Sequence, residues 1–373
     1  MKPSKLCPIT NLDAFLVLNA ISGLGPVRIA KLISYFKTPQ KVLSVSAKDL
    51  VASGIVPPKI AGNIEEFEAD AFLEKEYELI KRHNVEVICL NDKSYSELLK
   101  EIADPPPVLY VKGKIKKQDD MAIAIVGSRR ASIYGVSVAE KFSAGFCDYG
   151  ITVVSGMARG IDTAAHRGAL RARGRTIAVL GSGLARIYPA ENKKIFDAIA
   201  DAGAVISEFP MQTAPLACNF PRRNRIVSGL SLGVIVVEAA KRSGALITAD
   251  FALEQGKDVF AVPGQVDSPS SLGVNDLIKQ GAKLISNVYD VIEELGLELK
   301  RSVSSQDEEN LKDFSGLSDQ EREVLKRISS KGIHIDQLAL ECQITTAKLS
   351  AALLSLSLKK RIKQLPGKLF AQT

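Results

Sequence analysis

A doubly wound α/β sheet flanked by two helical units is the fold class this sequence predicts, and three observations predict it. Between Val85 and Val262, short β-branched runs alternate with helical stretches. The runs are continuously apolar, as strands buried on both faces must be, whereas a half-exposed strand would alternate with period two. On either side the β-branched texture disappears and apolar residues recur at helical spacing. At 373 residues the chain exceeds one ordinary domain. The boundaries fall at 1–81 for an N-terminal helical domain, 82–297 for the sheet, 298–314 for a linker and 315–373 for a C-terminal unit.

The first domain opens on an apolar face of Leu12, Phe15, Leu16 and Leu18, and a second follows at Ile29, Leu32, Ile33 and Phe36. Gly23-Leu24-Gly25 joins them, which is what a helix-hairpin-helix or SAM-like arrangement looks like, since the glycines permit a tight turn. The amides of the second helix could take a phosphate there. A plain bundle corner, with only Arg28 and Lys31 basic nearby, is the rival reading. Strands are then expected at residues 85–88, 108–111, 122–126, 151–154, 176–180, 204–206, 234–237 and 259–262, forming a parallel sheet covered on both faces.

After Leu299 the chain turns polar, as linkers do. From Leu317, Ser318 with Glu321 three residues on makes a capping box ahead of Val324, Leu325 and Ile328. Residues 336–341, a turn at 342–345 and a helix over 346–358 resemble a helix-turn-helix. The tail through Phe370 reads as a two-stranded wing turning at Pro366-Gly367. Residues 315–373 carry ten Lys and Arg against five Asp and Glu. A winged helix is expected, its partner being nucleic acid or protein.

Composition removes other classes. With 46% hydrophobic and 24% charged residues the chain is that of a soluble globular protein. Lys and Arg total 49 against 42 acidic residues, a net +7 that permits an anionic partner but equally suits mere solubility. No signal peptide is expected, because Met1-Lys2-Pro3-Ser4-Lys5 leads into Asn11 and Asp13 before an apolar run develops. No stretch approaches the ~18 apolar residues of a membrane span. The five cysteines lie at least 58 residues apart, and the three histidines (His83, His166, His334) form no paired ligand motif. A cytoplasmic protein is expected, with no membrane, metal or cofactor.

In open α/β sheets ligands gather at the carboxyl ends of strands. Four such ends combine Gly or Ser with a cation: Gly127-Ser128-Arg129-Arg130, then Ser155-Gly156-Met157-Ala158-Arg159-Gly160-Ile161-Asp162. Gly181-Ser182-Gly183-Leu184-Ala185-Arg186 and Lys241-Arg242-Ser243-Gly244 are the others. Glycines admit an anion to backbone amides, helix N-termini add partial positive charge, and arginines add forked donors. One such loop would mean little; four on one edge favour an anion site. The segment Asn219-Phe220-Pro221-Arg222-Arg223-Asn224-Arg225-Ile226 adds three arginines in four positions, fronted by an aromatic ring. Without tryptophan, Phe220, Tyr134 or Tyr188 must do any stacking on a nucleobase. A core role for Phe220 is the alternative.

These motifs, in this order, resemble the DprA/Smf DNA-processing family, together with Val237-Glu238-Ala239, Ser243-Gly244-Ala245-Leu246-Ile247-Thr248-Ala249 and Ala261-Val262-Pro263-Gly264. The resemblance covers about residues 84–297, and the helical head and winged tail match longer members. It implies an extended Rossmann-like domain that binds single-stranded DNA, protects incoming DNA, helps load the RecA recombinase in natural transformation, and forms a homodimer. Carried across residue by residue, DNA contacts fall on Gly127, Ser128, Arg129, Arg159, Phe220, Arg222, Arg223, Asn224 and Arg225. Arg130 and Lys241 join them from their strand-end positions. The family often has Tyr-Pro where this chain has Tyr95-Ser96, a departure outside the strand-end loops.

An enzymatic alternative, a phosphoribohydrolase-like nucleotide enzyme, draws on Asp162 and His166 at i, i+4, on Glu208 and on Glu238. Each also has a structural reading: Asp162 as a helix cap, His166 bonded within packed surfaces, Glu238 paired with Arg or Lys. The hydrolase pattern diverges after Pro263-Gly264, and bulk at Ser128-Arg129 breaks the dinucleotide fingerprint. No catalytic residue is expected. A nucleotide-sensing regulator that reads duplex DNA with its winged helix is a third class.

Overall fold

The computed structural model describes residues 9–297, 317–328, 333–342, 344–359, 361–365 and 369–372. The expected linker, the first eight residues and the Pro366-Gly367 turn lie outside them. The chain divides into two compact units near Ser302.

Six helices open the larger unit: α1 (Asn11–Ala20), α2 (Pro26–Phe36), α3 (Pro39–Ser44), α4 (Ala47–Ala52), α5 (Pro58–Glu65) and α6 (Ala69–His83). Thr10, Thr38 and Ser46 cap three of them by accepting the amide of the third helical residue. Pro26, Pro39 and Pro58 begin helices where a missing N–H costs nothing. A turn at Gly23-Leu24-Gly25 joins α1 to α2, with Gly23 at φ +83°, and the Arg28 guanidinium folds back to donate to the Gly23 carbonyl at 3.1 Å.

The sheet comprises β1 (Glu86–Cys89), β2 (Val108–Gly113), β3 (Ala122–Gly127), β4 (Thr152–Ser155), β5 (Thr176–Val179), β6 (Ala204–Ser207), β7 (Gly233–Glu238), β8 (Asp258–Ala261) and β9 (Lys283–Leu284). Their order is β1-β2-β6-β5-β4-β3-β7-β8-β9. From β6 to β9 every neighbour is parallel. β2, however, runs antiparallel to both β1 and β6, so the sheet is mixed at that edge and the all-parallel expectation is corrected. The β1–β2 link holds only one helical turn, α7 (Glu97–Lys100), and no crossover helix that could cover a face. Strand β9 was not expected, and both its residues are exposed.

Alternate strand residues enter opposite layers. Ala122, Ala124 and Val126 pack toward α11 (Asn219–Gly229), α12 (Gly244–Glu254) and α13 (Leu272–Lys279). Ile123 and Ile125 pack toward α8 (Ile133–Asp148), α9 (Ile161–Arg171) and α14 (Val288–Glu294). The head has its own core around Leu18, Leu32 and Leu50. It also shares one with the sheet: Phe15, Leu16 and Leu79 meet Val108, Tyr110 and α10 (Lys193–Ala202). Buried Glu76 accepts the Met211 amide at 2.8 Å, and Asn19 Nδ2 donates to the Glu208 carbonyl at 2.8 Å. Apolar burial and satisfied polar groups thus fasten the head to the sheet.

The smaller unit contains α15 (Asp319–Arg327), β10 (Ile333–His334), α16 (Ile335–Cys342), α17 (Thr346–Leu358), β11 (Ile362–Leu365) and β12 (Leu369–Gln372). An antiparallel sheet β10-β12-β11 supplies the wing. The Ser318–Glu321 capping box is formed, and Lys359 Nζ donates to both Glu321 oxygens at 2.9 Å, tying α15 to the end of α17. Val324, Leu338, Leu349 and Leu356 close its core. This is a winged helix.

Candidate nucleic-acid interface

The carboxyl ends of β3, β4 and β7 surround a cleft of about 760 Å³, while the loop at residues 181–186 after β5, expected as a fourth anion loop, contributes no lining residue. Arg129, Arg130, Arg223 and Arg242 line it, with Asp162 the one acidic residue among the described lining. Helices α9 and α11 begin beside it; Asp162 sits in the first turn of α9, whereas α11 has neither a side-chain cap bond nor an acidic residue in its first turn, so its partial positive charge is left for an anion. Field, donors and shape all favour an anion.

One wall is a ladder of cations and rings. The Arg129 guanidinium lies 5.0 Å over Phe220, Phe220 lies 5.6 Å from Tyr188, and Arg159 lies 5.9 Å over Tyr188. Arg159 in turn pairs with Glu191, both about half exposed, and that contact holds the Glu191 carboxyl below its ordinary range. Gly181 gives the Phe220 ring its place, since a Cβ there would meet the ring at 2.9 Å. Asn192 fixes the far end of the wall: its Nδ2 donates to the Met157 carbonyl at 3.0 Å and to Thr163 Oγ1 at 2.8 Å.

The floor is different. Arg223 is 3% exposed, and its Nη1 donates to the Val179 carbonyl at 2.6 Å. Burial pushes its guanidinium down to about 10, while Asp162 works against that shift. Asp162 is itself raised by burial, in spite of Arg223 and the Ala158 amide that it accepts. Gly156 makes this packing possible, because a Cβ would lie 1.8 Å from Arg223 Nη1. Below, Thr176 Oγ1 donates to the Val153 carbonyl at 2.7 Å and therefore accepts from His166 Nδ1 at 2.7 Å. His166 is neutral, its pKa pushed down to about 3 by burial.

The expected contacts accordingly separate. Gly127, Ser128, Arg129, Arg130, Phe220, Arg223 and Asn224 line the cleft. Arg159 stands at its wall through Tyr188. The Ser128 amide donates to the Glu238 carbonyl at 2.7 Å, and its Oγ accepts the Arg130 amide at 3.1 Å, which leaves the hydroxyl hydrogen to meet a ligand. Arg222 is exposed over Phe209, at 5.2 Å, and does not line the cleft. Arg225 is buried in ion pairs with Glu208 at 2.6 Å and Asp104 at 2.8 Å. Lys241 lines a neighbouring depression of about 430 Å³ that also holds Asp250 and Asp276. Arg242 lines both hollows, yet its segment alone could not single it out from the adjacent lysine. Glu191 and Asn192 had no motif to announce them.

Of the acid–base candidates, Glu238 Oε2 accepts both the Ser132 amide and hydroxyl at 3.0 Å. It therefore fixes the start of α8 in place of the Arg or Lys pairing expected for it. Glu208 is committed to Arg225, and His166 is fully enclosed. Only Asp162 lines the cleft. Among the described residues, no group of His, Cys, Asp and Glu is placed to hold a metal ion. No described helix is long and apolar enough to cross a membrane.

An extended Rossmann-like sheet with a cationic, ring-walled carboxyl edge, accompanied by a winged helix, defines the class. A family model for DNA recombination-mediator protein A matches residues 86–296, and one for the DprA winged helix domain matches residues 313–368. The chain belongs to that DprA/Smf family. Protein Smf of Escherichia coli strain K12 is 45% identical, the match spanning 58% of this chain and 58% of that protein. The X-ray structure of DNA processing protein A from Streptococcus pneumoniae is similar at a TM-score of 0.67 and 38% identity, over 77% of this chain and 99% of that one. A Helicobacter pylori DNA processing protein A, whose structure is described for its single-stranded DNA binding mode, matches at a TM-score of 0.52 and 29% identity. That match covers 58% of this chain and 97% of the other.

Proposed function

We propose that the cleft binds single-stranded DNA, and that the protein protects incoming DNA and helps load the RecA recombinase during natural transformation, as a cytoplasmic homodimer without catalytic activity. The observation that carries this reading is the Arg129–Phe220–Tyr188–Arg159 ladder. Rings offer faces to bases while the flanking guanidinium groups meet phosphates, which is how strands are held without sequence readout. Arg130 and Arg242 extend the phosphate path along the cleft, and Asn224 supplies a neutral donor beside it. Arg223 acts from beneath, holding the strand-end loops in shape. Arg222, Arg225 and Lys241 are assigned no contact inside the cleft.

Binding of oligothymidine to the full chain, titrated with salt, tests the reading. The logarithm of affinity should fall with the logarithm of salt by about 0.7 per neutralised phosphate, and single strands should outcompete duplex. Preference for duplex would instead favour the winged helix as the reader. One observation favours the nucleotide-enzyme reading: Asp162 is the carboxyl that lines the cleft, and burial raises its pKa from the ordinary range. Hydrolysis of nucleoside monophosphates that is abolished in Asp162→Asn would establish it.

A further inference from the structure

Beyond the cleft, the carboxyl edge of the sheet carries apolar side chains that packing does not explain. Ile133 is 92% exposed and Tyr134 56% at the start of α8, and Val266 is 85% exposed in the loop that follows β8. Exposed apolar residues scattered singly need no explanation, but Tyr134 and the start of α8 are fixed in place. Ser132 is bonded twice to Glu238 at the end of β7, and Tyr134 Oη donates to the Pro263 carbonyl at 3.3 Å. The ring is thus braced across the ends of β7 and β8. Arg129 and Arg130, which line the cleft, directly precede this segment in the chain.

Resting on the single-strand reading of the cleft, we infer that Ile133, Tyr134 and Val266 form a platform for the bases of DNA that runs out of the cleft toward β8. The strand order β5-β4-β3-β7-β8 sets the direction, from Tyr188 beyond β5 to Tyr134 beside the end of β8. Four strand spacings of about 4.8 Å make that run about 19 Å. A protein-docking surface is a contiguous apolar patch. Here the apolar groups are interleaved with Arg130, Ser132 and Gln265, and Asp267 is the acidic residue on the β8 loop. Rings and aliphatic groups that continue from the Arg129 and Arg130 end of the cleft suit a chain of bases and phosphates.

The test uses the full chain, a short oligothymidine that fills only the cleft, and one several times longer, with affinity read by anisotropy. Tyr134→Ala should weaken the long oligomer at least about fivefold, the smaller end of a stacking contribution, and the short one less than about twofold. Tyr134→Phe, which keeps the ring but loses its bond to the Pro263 carbonyl, should retain more of the long-oligomer affinity than Tyr134→Ala and match the parent on the short one. Ile133→Ser with Val266→Ser should repeat the length-dependent loss. Equal loss on both lengths, no loss on either, or a change of oligomeric state in the serine variant would each overturn the platform. If the parent protein binds neither oligomer, the cleft reading itself fails and the platform with it.

Discussion

The cleft wall and the layer beneath it are built from the same residue type with opposite outcomes. Arg129, Arg130 and Arg242 line open space, and no ion pair to a carboxylate is formed by them among the described residues. Arg223 and Arg225, both 3% exposed, are bound to a carbonyl and to two carboxylates. The segment Pro221–Arg225 contains both kinds of environment, because α11 turns about 100° per residue and its three arginines leave the axis in three directions. Arg222 reaches Phe209, Arg223 the floor, and Arg225 Glu208. A cationic run on a helix is therefore several single sites, each decided by what its own direction meets.

The largest effect that would sharpen this contrast lies in the interior. Arg225→Ala leaves Glu208 buried without its partner and should cost about 3–5 kcal/mol, read as the urea unfolding free energy. A loss under about 1 kcal/mol would mean that the pair is not structural. Next comes His166. Its folded pKa is about 3 against an ordinary 6.5, so between those values the unfolded chain binds the extra proton and stability falls as pH falls. The slope is about 1.4 kcal/mol per pH unit below about 6.5. Asp162 and Glu208, raised by burial, act in the opposite direction. The readout is therefore the difference between parent and His166→Gln unfolding curves across acid pH, where the variant should lose less stability as pH falls. An identical slope in both proteins would contradict the enclosed, neutral ring.

On the cleft side the effects move from stability to binding. Arg129→Ala should leave stability within about 0.5 kcal/mol while flattening the salt slope for oligothymidine by about 0.7. Stability loss without a change of slope would place Arg129 with the interior set. The smallest effect is expected at Glu191, whose carboxylate occupies the Arg159 guanidinium that a phosphate would otherwise meet. Glu191→Gln should tighten binding about twofold and steepen the salt slope, and the gain should vanish in Arg159→Ala.

Much of this architecture was legible because burial on both faces writes itself into composition. All eight expected strands exist, from Glu86–Cys89 to Asp258–Ala261, since uninterrupted apolar runs are hard to place elsewhere. Strand direction leaves no such mark, so the antiparallel β2 was missed, and β9 has only two exposed residues to signal it. In the cleft, the glycine and arginine loops and Phe220 were readable as strand-end features. The division of labour inside Pro221–Arg225 was not, because it depends on Glu208, Asp104 and Phe209, which come from other elements. Likewise Lys241 and Arg242 are neighbours in sequence, and only the loop geometry sends the arginine to the cleft.

The contact between Gly156 and Arg223 ties the history of the two positions together. With 1.8 Å between a notional Cβ and the guanidinium, no side chain can arise at 156 while the arginine keeps its place. A side chain at 156 therefore requires the Arg223 guanidinium to swing away or to be shortened, and either change takes the donor from the Val179 carbonyl. Steric exclusion thereby couples the two floor positions, so that a change at one is felt at the other.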